Sequence, residues 1–108
     1  MDSLKEVLES AGLPAQRGVY TGEIKPPAYY TFLRLLKGAA LRTDDADSGS
    51  RELYRVTLFH KGDFETQLSK TLEVLTAAGI YINSVDAENY ETETGYWIVP
   101  ITIEILKE

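Results

Sequence analysis

Apolar residues recur at helical spacing at the start of the chain. Ser3, followed three residues later by Glu6, forms a capping-box pattern. The apolar positions near it are spaced i, i+3, i+4 and i+7, and they are Leu4, Val7, Leu8 and Ala11. Gly12 can end a helix in the left-handed conformation and Pro14 cannot continue one, so we predict an amphipathic helix over residues 3–12.

A longer helical pattern follows Asp63, a residue type that caps helices. Its apolar positions advance in steps of four, four and three, through Phe64, Leu68, Leu72 and Leu75. Gly79 provides the end of this pattern. It is the longest helix that the sequence predicts.

Three long segments carry strand patterns, at 29–36, 52–59 and 97–105, and two shorter strands are predicted at 17–25 and 80–82. Apolar residues lie on both alternating sides of 29–36. We therefore expect a helix to cover one face there and a neighbouring sheet or subunit to cover the other. Pro100 has no N–H for a ladder, which predicts an edge position or a bulge.

These elements follow the order α-β-β-β-α-β-β and predict an α+β fold. We expect a mostly antiparallel sheet of four or five strands with two helices packed on one face. A chain of 108 residues has the size of a single domain. The Asp-, Gly- and Ser-rich residues 37–51 predict a flexible acidic loop, and residues 86–93 predict a charged, exposed hairpin connection.

Composition narrows the classes of function. No apolar run approaches the ~20 residues of a membrane-spanning helix, and the first residues lack the basic start and apolar stretch of a secretory signal. We expect a protein that stays in the cytoplasm. The absence of cysteine excludes disulfides, thiolate nucleophiles and cysteine zinc sites. With a net charge of −6 and scattered basic residues, we expect neither sequence-specific nucleic-acid binding nor a membrane partner.

Candidate catalytic groups are sparse. The single histidine, His60, ends a predicted strand, and no nearby nucleophile or carboxylate completes a triad. The carboxylates of residues 86–93 could form a glycosidase-like pair only at a spatial separation that the sequence does not define. No glycine-rich phosphate loop occurs in the sequence. We expect no enzymatic activity and no cofactor.

A cluster of acids, Asp44, Asp45 and Asp47, lies before Gly49 and invites comparison with the calcium loop of EF-hands. Whether such a loop begins at Asp44 or at Asp45, a required ligand or glycine position carries the wrong residue type, and the twelfth position carries no glutamate. We expect a solvated loop there and no metal site.

Seven tyrosines and one tryptophan remain as candidates for function. Large aromatic side chains are common both in cores and at protein interfaces. We expect Tyr54 and Trp97 in the core. Tyr29, Tyr90 and Tyr96 lie by predicted loop or strand boundaries and are candidate contacts with other subunits.

Five segments occur in an order that resembles a known family. The first three are the helix of residues 4–14, Pro-Pro-Ala-Tyr-Tyr at 26–30, and an Asp-rich loop leading into Glu-Leu-Tyr-Arg-Val-Thr-Leu-Phe at 52–59. The last two are a helix ending Leu-Thr-Ala-Ala-Gly-Ile-Tyr at 75–81 and the closing Tyr-Glu-Thr-Glu-Thr-Gly-Tyr-Trp-Ile-Val-Pro-Ile at 90–101. Over nearly its whole length the chain resembles the small tail-terminator, or tail-completion, proteins of long-tailed bacteriophages and prophages.

The resemblance implies a non-enzymatic virion structural protein that assembles in the host cytoplasm and ends up in the tail and neck. Family members form a ring, usually hexameric, that stops growth of the tail tube and joins it to the head connector. The implied partners are other copies of the chain, monomeric before assembly, the tail-tube protein and the head–tail connector protein. Candidate assembly contacts in the acidic loop are Arg42, Asp44, Asp45 and Asp47. Carboxylates that face the bore would let DNA pass without binding.

Two other functions fit the same sequence. A head-closure or other neck component shares the small size, the α+β content and the ring assembly. Loss of a terminator gives overlong tail tubes, whereas loss of a head-closure protein gives free tails of normal length. A small ferredoxin-like module that binds a ligand would instead have a specific pocket and form a stable dimer.

Overall fold

A computed structural model describes the chain over residues 4–22, 25–39 and 50–107. The helices of this part are α1, Leu4–Glu9, and α2, Phe64–Ala77. Its strands are β1, Ala15–Arg17; β2, Ala28–Ala39; β3, Ser50–His60; β4, Tyr81–Val85; β5, Asn89–Glu91; and β6, Tyr96–Lys107. The α+β class is the one that the sequence predicts.

The strands form one mixed sheet in the order β1-β2-β3-β6-β4, with β5 also paired to β6. β1 runs parallel to β2, and the other neighbours are antiparallel. The predicted count of four or five strands is wrong, as is the order α-β-β-β-α-β-β, because residues 86–93 contain the additional strand β5. A strand of three residues is too short for an alternating pattern to reveal it.

Both helices cover the same face of the sheet. The buried side chains of that face come from alternate positions of the three long strands, and they are Tyr30, Phe32, Tyr54, Val56, Leu58, Val99, Ile101 and Ile103. They form one cluster with the apolar side chains of α1 and with Leu75 of α2. The Tyr30 hydroxyl ties the sheet to α2, since it lies 2.5 Å from the Thr71 hydroxyl and accepts from the Gln67 side-chain amide at 3.0 Å.

α2 begins and ends where the sequence predicts. The Asp63 carboxylate accepts a hydrogen bond from the backbone N–H of Glu65 at 3.0 Å, which caps the helix. Gly79 follows the helix with a φ of 82°, a left-handed conformation that glycine adopts without strain. Asp63 and Gly79 therefore mark the start and the end of α2 in the sequence as well as in the structure.

α1 is shorter than the helix predicted over residues 3–12. Beyond Glu9 the chain forms tighter turns, in which the Gly12 N–H donates to the Glu9 carbonyl at 2.9 Å, only three residues back. Gly12 takes the predicted left-handed conformation, with a φ of 101°. The predicted cap, Ser3, lies outside the described residues.

The strand predicted over residues 17–25 is displaced. β1 ends at Arg17, where the predicted strand begins, because Gly18 turns the chain with a φ of 83°. The Gly18 N–H donates to the Phe32 carbonyl at 2.8 Å. The pairing with β1 therefore covers the outer edge of β2 only as far as Phe32.

The loop predicted over residues 37–51 is too long at both ends. Residues 37–39 continue β2 and residues 50–51 begin β3, since the two strands stay paired as far as Ala39 and Ser50. Cross-strand pairing outweighs the low strand propensity of Gly38, which lies opposite Arg51. The rest of the predicted loop, residues 40–49, lies outside the described residues.

Pro100 does not mark an edge strand, so the first alternative of that prediction is wrong, whereas the pairing on its β4–β5 side is irregular, with residues 86–88 opposite only Val99 and Pro100. β6 lies between β3 and the β4–β5 side, and Pro100 pairs with Thr57 without a register shift in the β3–β6 ladder. The Pro100 carbonyl accepts from the Asp86 N–H at 2.8 Å. Because the N and C=O of a strand residue point to the same side, the proline nitrogen is directed into the gap between β4 and β5.

Candidate interaction surface

The sheet face opposite the helices has two halves that differ in packing. At the β5 end, four aromatic rings form a cluster. Tyr29 stacks on Phe59 with ring centroids 4.5 Å apart, and Tyr96 meets the two rings edge-on at 5.5 Å and 6.0 Å. Tyr20 adds a ring 4.8 Å from Tyr29. Stacked and edge-on contacts are favourable arrangements for aromatic rings, so this half of the face is well packed.

The connection between β1 and β2 closes over this aromatic cluster. The Tyr96 hydroxyl donates to the Pro26 carbonyl at 2.6 Å, and the Lys61 N–H donates to the Pro27 carbonyl at 3.0 Å. The Lys61 ammonium also lies 4.9 Å from the centre of the Tyr96 ring, a favourable cation–π position. Only 3% of Tyr29 and 4% of Tyr96 remain exposed, so their contacts are made within the chain.

Burial raises the pKa of two phenols of the cluster, Tyr29 and Tyr96. It raises the pKa of Tyr29 from 10.0 to about 12, with smaller contributions from Tyr96, Glu91 and Tyr20. Burial also raises the pKa of Tyr96. The raised pKa extends into alkali the range over which the Tyr96 hydroxyl keeps the proton that it donates to Pro26.

The other half of the face leaves leucine side chains uncovered. We call it the distal half, and it consists of residues 33–39, 50–53 and 105–107, beyond the pairing with β1 and β4. Leu33, Leu36 and Leu106 lie on the open face with exposed fractions of 44%, 44% and 65%, and Leu35, 47% exposed, lies at the register break of β2 between Arg34 and Leu36. Within the described part of the chain, no helix or strand packs over them. Several neighbouring leucines exposed on one surface are typical of a protein–protein contact site.

A polar network closes the helix side of the core in the same region. The Glu52 carboxylate, 2% exposed, accepts from the Tyr54 hydroxyl at 2.9 Å and from the Arg34 guanidinium at 3.5 Å. Arg17 donates to the Tyr54 oxygen at 3.2 Å and lies 5.7 Å from the centre of the Phe32 ring. Because a buried carboxylate is costly to leave unpaired, these contacts hold two arginines at the β1–β2 edge.

Two ion pairs cross the open face. The Arg55 guanidinium lies 3.5 Å from the Asp86 carboxylate, and the Arg51 guanidinium lies 3.8 Å from Glu104. All four groups are partly exposed to solvent, so each pair stabilises the fold by less than about 1 kcal/mol. The pairs hold Arg51 and Arg55 toward the β4 side of the sheet. These two arginines therefore add no charge to the β1–β2 edge.

Charge is separated between the two edges of the sheet. Residues 15–39, which contain β1 and β2, carry four basic residues and one acidic residue. Residues 81–107, which contain β4, β5 and β6, carry five acidic residues and one basic residue. β1 and β2 lie at one side of the sheet, and β4 and β5 lie at the other. The basic and the acidic residues are therefore separated in space.

We call the β1–β2 side the basic edge and the β4–β5 side the acidic edge. The basic edge includes Arg17, Arg34 and Leu35, and the acidic edge includes Val85, Asp86, Glu88, Tyr90 and Glu91. β4 and β5 follow one another along the same side of β6, so the acidic residues form one continuous border. Val85 and Tyr90 are exposed on it by 41% and 46%.

The structure separates the predicted contact residues. Tyr29 and Tyr96 are buried, and the β1–β2 connection would have to open before they could reach another subunit. Tyr90 lies on the acidic edge, with its ring 4.9 Å from that of Trp97, and stays a candidate contact. The predicted contacts in the acidic loop, Arg42, Asp44, Asp45 and Asp47, lie outside the described residues.

The predicted core aromatics differ from each other. Tyr54 is buried, with 6% of its surface exposed, as predicted. Trp97 is only half-buried and lies between Tyr90 and Phe64, with the Phe64 ring 5.4 Å away. The tryptophan therefore forms the border of the core rather than its centre.

His60 is engaged in a local turn. Its Nδ1 accepts a hydrogen bond from the Gly62 N–H at 2.9 Å, two residues further along the chain. Over residues 4–22, 25–39 and 50–107, no three His, Asp or Glu side chains form a group that could hold a metal ion. Neither of the helices in these ranges has the length and apolar content needed to span a membrane.

Two features of the surface were not predicted from the sequence. Three leucines of the distal half, Leu33, Leu35 and Leu36, belong to the apolar strand pattern at 29–36, but the pattern did not show which of its residues would stay uncovered. The basic residues look scattered along the sequence, and only the strand order places the basic residues of 15–39 and the acidic residues of 81–107 on opposite edges.

Comparison of the chain with protein-family models and with curated proteins gave no match.

Proposed function

We propose that this chain is a non-enzymatic structural subunit of a long-tailed bacteriophage or prophage. It acts as a tail terminator: copies form a ring at the end of the tail tube, stop its growth and join it to the head connector. The ring is a closed assembly in which each copy uses two different surfaces, one for each neighbour.

The observation that carries this proposal is the distal half of the open sheet face. Its four leucines are each more than two-fifths exposed, although the helix side of the same sheet is densely buried. Burying one leucine side chain stabilises an assembly by up to about 2 kcal/mol. A surface of this kind supports assembly with other proteins, and the order of elements in the sequence, which resembles the tail-terminator family, supports the type of assembly.

Deletion of the gene from a phage that encodes this chain tests the proposed function. We expect electron micrographs to show tail tubes longer than normal and detached from heads, because nothing ends tube growth. The wild-type gene supplied on a plasmid restores normal length. Free tails of normal length would show that the chain acts elsewhere in the neck, and unchanged virions would exclude a role in the tail.

The leucine surface is tested by complementation in the same deletion strain. Leu33→Gln combined with Leu36→Gln should fail to restore tail length, since both side chains lose apolar contact area. Lys70→Gln, an exposed position on α2, serves as the control and should restore it. Circular dichroism of both purified variants checks that the fold is retained. Full restoration by the double variant would contradict a role for the distal half.

A further inference from the structure

The two edges of the sheet carry charges of opposite sign on the same molecule. On the basic edge, Arg17 and Arg34 are held in place by their contacts with Tyr54 and Glu52. On the acidic edge, Glu88 is exposed next to Asp86 and Tyr90. A surface that is complementary to another surface of the same chain favours association of identical copies.

Both edges also retain free capacity for strand pairing within the described residues. The Tyr30 N–H and the Phe32 carbonyl bond outward, to Pro14 and Gly18, and the same alternation directs the backbone groups of Arg34 outward. No described strand pairs with β2 there, and none pairs with the outer side of β4. An edge with unpaired N–H and C=O groups is a ready surface for another chain.

From these observations we infer that a second copy of this chain docks edge to edge. The basic edge of one copy, at residues 33–39 of β2, contacts the acidic edge of the next copy, at β4 and residues 86–90. Leu35 meets the exposed Val85 and Tyr90, and Arg34 meets Glu88. The inference rests on the proposed function for its statement that the successive copies close into a ring.

Charge also determines the direction of association. Two copies joined through the same edge would bring Arg34 toward Arg34 or Glu88 toward Glu88, and like charges at a contact oppose binding. Head-to-tail docking pairs opposite charges at every contact. It leaves the row of copies with a free basic edge at one end and a free acidic edge at the other, so the assembly grows until rotation closes it.

Variants of the full chain with a changed charge at one edge test this contact. Leu35→Glu places an acid on the basic edge, and Glu88→Lys places a base on the acidic edge. Sedimentation velocity over a concentration series at low salt should show wild-type self-association, weakened on the order of tenfold in each variant. An equimolar mixture of the two variants should associate more strongly than either variant alone, because the acid introduced at position 35 of one copy then lies beside the base introduced at position 88 of the next.

Matched controls carry the same changes of charge away from both edges. Ser69→Glu adds one negative charge and Glu73→Lys reverses one, both at exposed positions of α2. They should associate like the wild type. A wild-type chain that stays monomeric up to millimolar concentration, or control variants that weaken association as much as the edge variants do, would overturn the inference. Failure of the mixture to recover would mean that positions 35 and 88 do not face each other across the contact and would overturn it too.

A cross-linking measurement covers the case in which a charge variant folds poorly. The chain has no cysteine, so Leu35→Cys and Glu88→Cys each introduce a single thiol. With a short thiol-specific cross-linker, the mixed sample should give cross-linked pairs and each variant alone should give few. Equal yields in all three samples would contradict head-to-tail docking.

The experiments distinguish failure of the edge-to-edge contact from failure of the proposed function. If gene deletion leaves tail length normal while copies still associate through the two edges, the terminator role fails and the contact stands. If deletion gives overlong tails while the edge variants associate like the wild type, the role stands and the contact lies elsewhere on the chain.

Discussion

The tyrosines of this chain differ in exposure for reasons that lie outside their local sequence. Tyr29 and Tyr90 both lie near predicted loop or strand boundaries, and the sequence makes each of them a candidate contact with other subunits. In the structure, the β1–β2 connection buries Tyr29, whereas Tyr90 stays 46% exposed on a short strand. The difference arises because the β1–β2 connection packs over Tyr29. The alternation of apolar residues along one strand does not show whether another segment will cover that strand.

The buried phenols predict a loss of stability in alkali. The pKa of Tyr29 is about 12 in the folded chain and near 10.0 when unfolded, so its contribution is complete below pH 10 and is lost as the pH rises towards 12. Over that window the free energy of unfolding should fall by about 1.4 kcal/mol per pH unit for this group. Urea unfolding at a series of pH values measures the slope.

Single substitutions assign that slope to its source. Tyr29→Phe keeps the stacked ring and removes the ionising group, so the slope should decrease by the share of one tyrosine. Tyr81→Phe, at a position exposed by 67%, should leave it unchanged. If all tyrosines of the native protein titrated together near their ordinary pKa, as followed by tyrosinate absorbance, burial would not be the cause.

Among the elements, those with explicit start and end signals were predicted best. α2 has a capping residue, a regular apolar stripe and a terminal glycine, and the structure reproduces all three. β3 and β6 are long enough for their alternation to be unambiguous. β1 and β5 have three residues each, and their existence depends on pairing with β2 and β6, so no local pattern could locate them.

The cap of α2 offers a prediction at this scale. Asp63→Ala removes the acceptor for the Glu65 N–H and should lower the free energy of unfolding by about 1 kcal/mol. Asp63→Ser, which keeps a capping oxygen, should lose less than half of that. Chemical denaturation midpoints compare the three proteins. An unchanged midpoint for Asp63→Ala would mean that the helix is held by packing on the sheet alone.

At the scale of the whole molecule, the order of the strands determines where the charged residues lie on the surface. The early basic residues and the late acidic residues lie on opposite sides because β6 pairs next to β3. Had β6 paired beside β2 instead, the same residues would lie together and neutralise one another. Pairing order depends on long-range contacts, which is why the charge separation and the candidate surface could not be predicted from the chain alone.

The edge-to-edge contact predicts a clear dependence on salt. Charges within a few ångströms of each other across an exposed contact are screened as the Debye length falls from about 10 Å at 0.1 M salt to about 3 Å at 1 M. The association constant of the wild-type chain should therefore decrease steadily with added sodium chloride. Sedimentation at several salt concentrations measures this, and an association that is indifferent to salt would point to the leucines alone.

Pro100 explains why the pairing of the acidic edge with β6 is interrupted between β4 and β5. With no N–H to offer on that side of β6, the chain cannot continue from β4 into β5 as one unbroken strand. The Asp86 N–H donates to the Pro100 carbonyl, but Pro100 has no N–H to return to the Asp86 carbonyl, so the pairing of β4 stops there and resumes with β5 only at Asn89. A single imino acid on a neighbouring strand thus leaves Glu88 in the unpaired stretch between the two strands, and replacing the proline by an ordinary amino acid would allow the ladder to continue further.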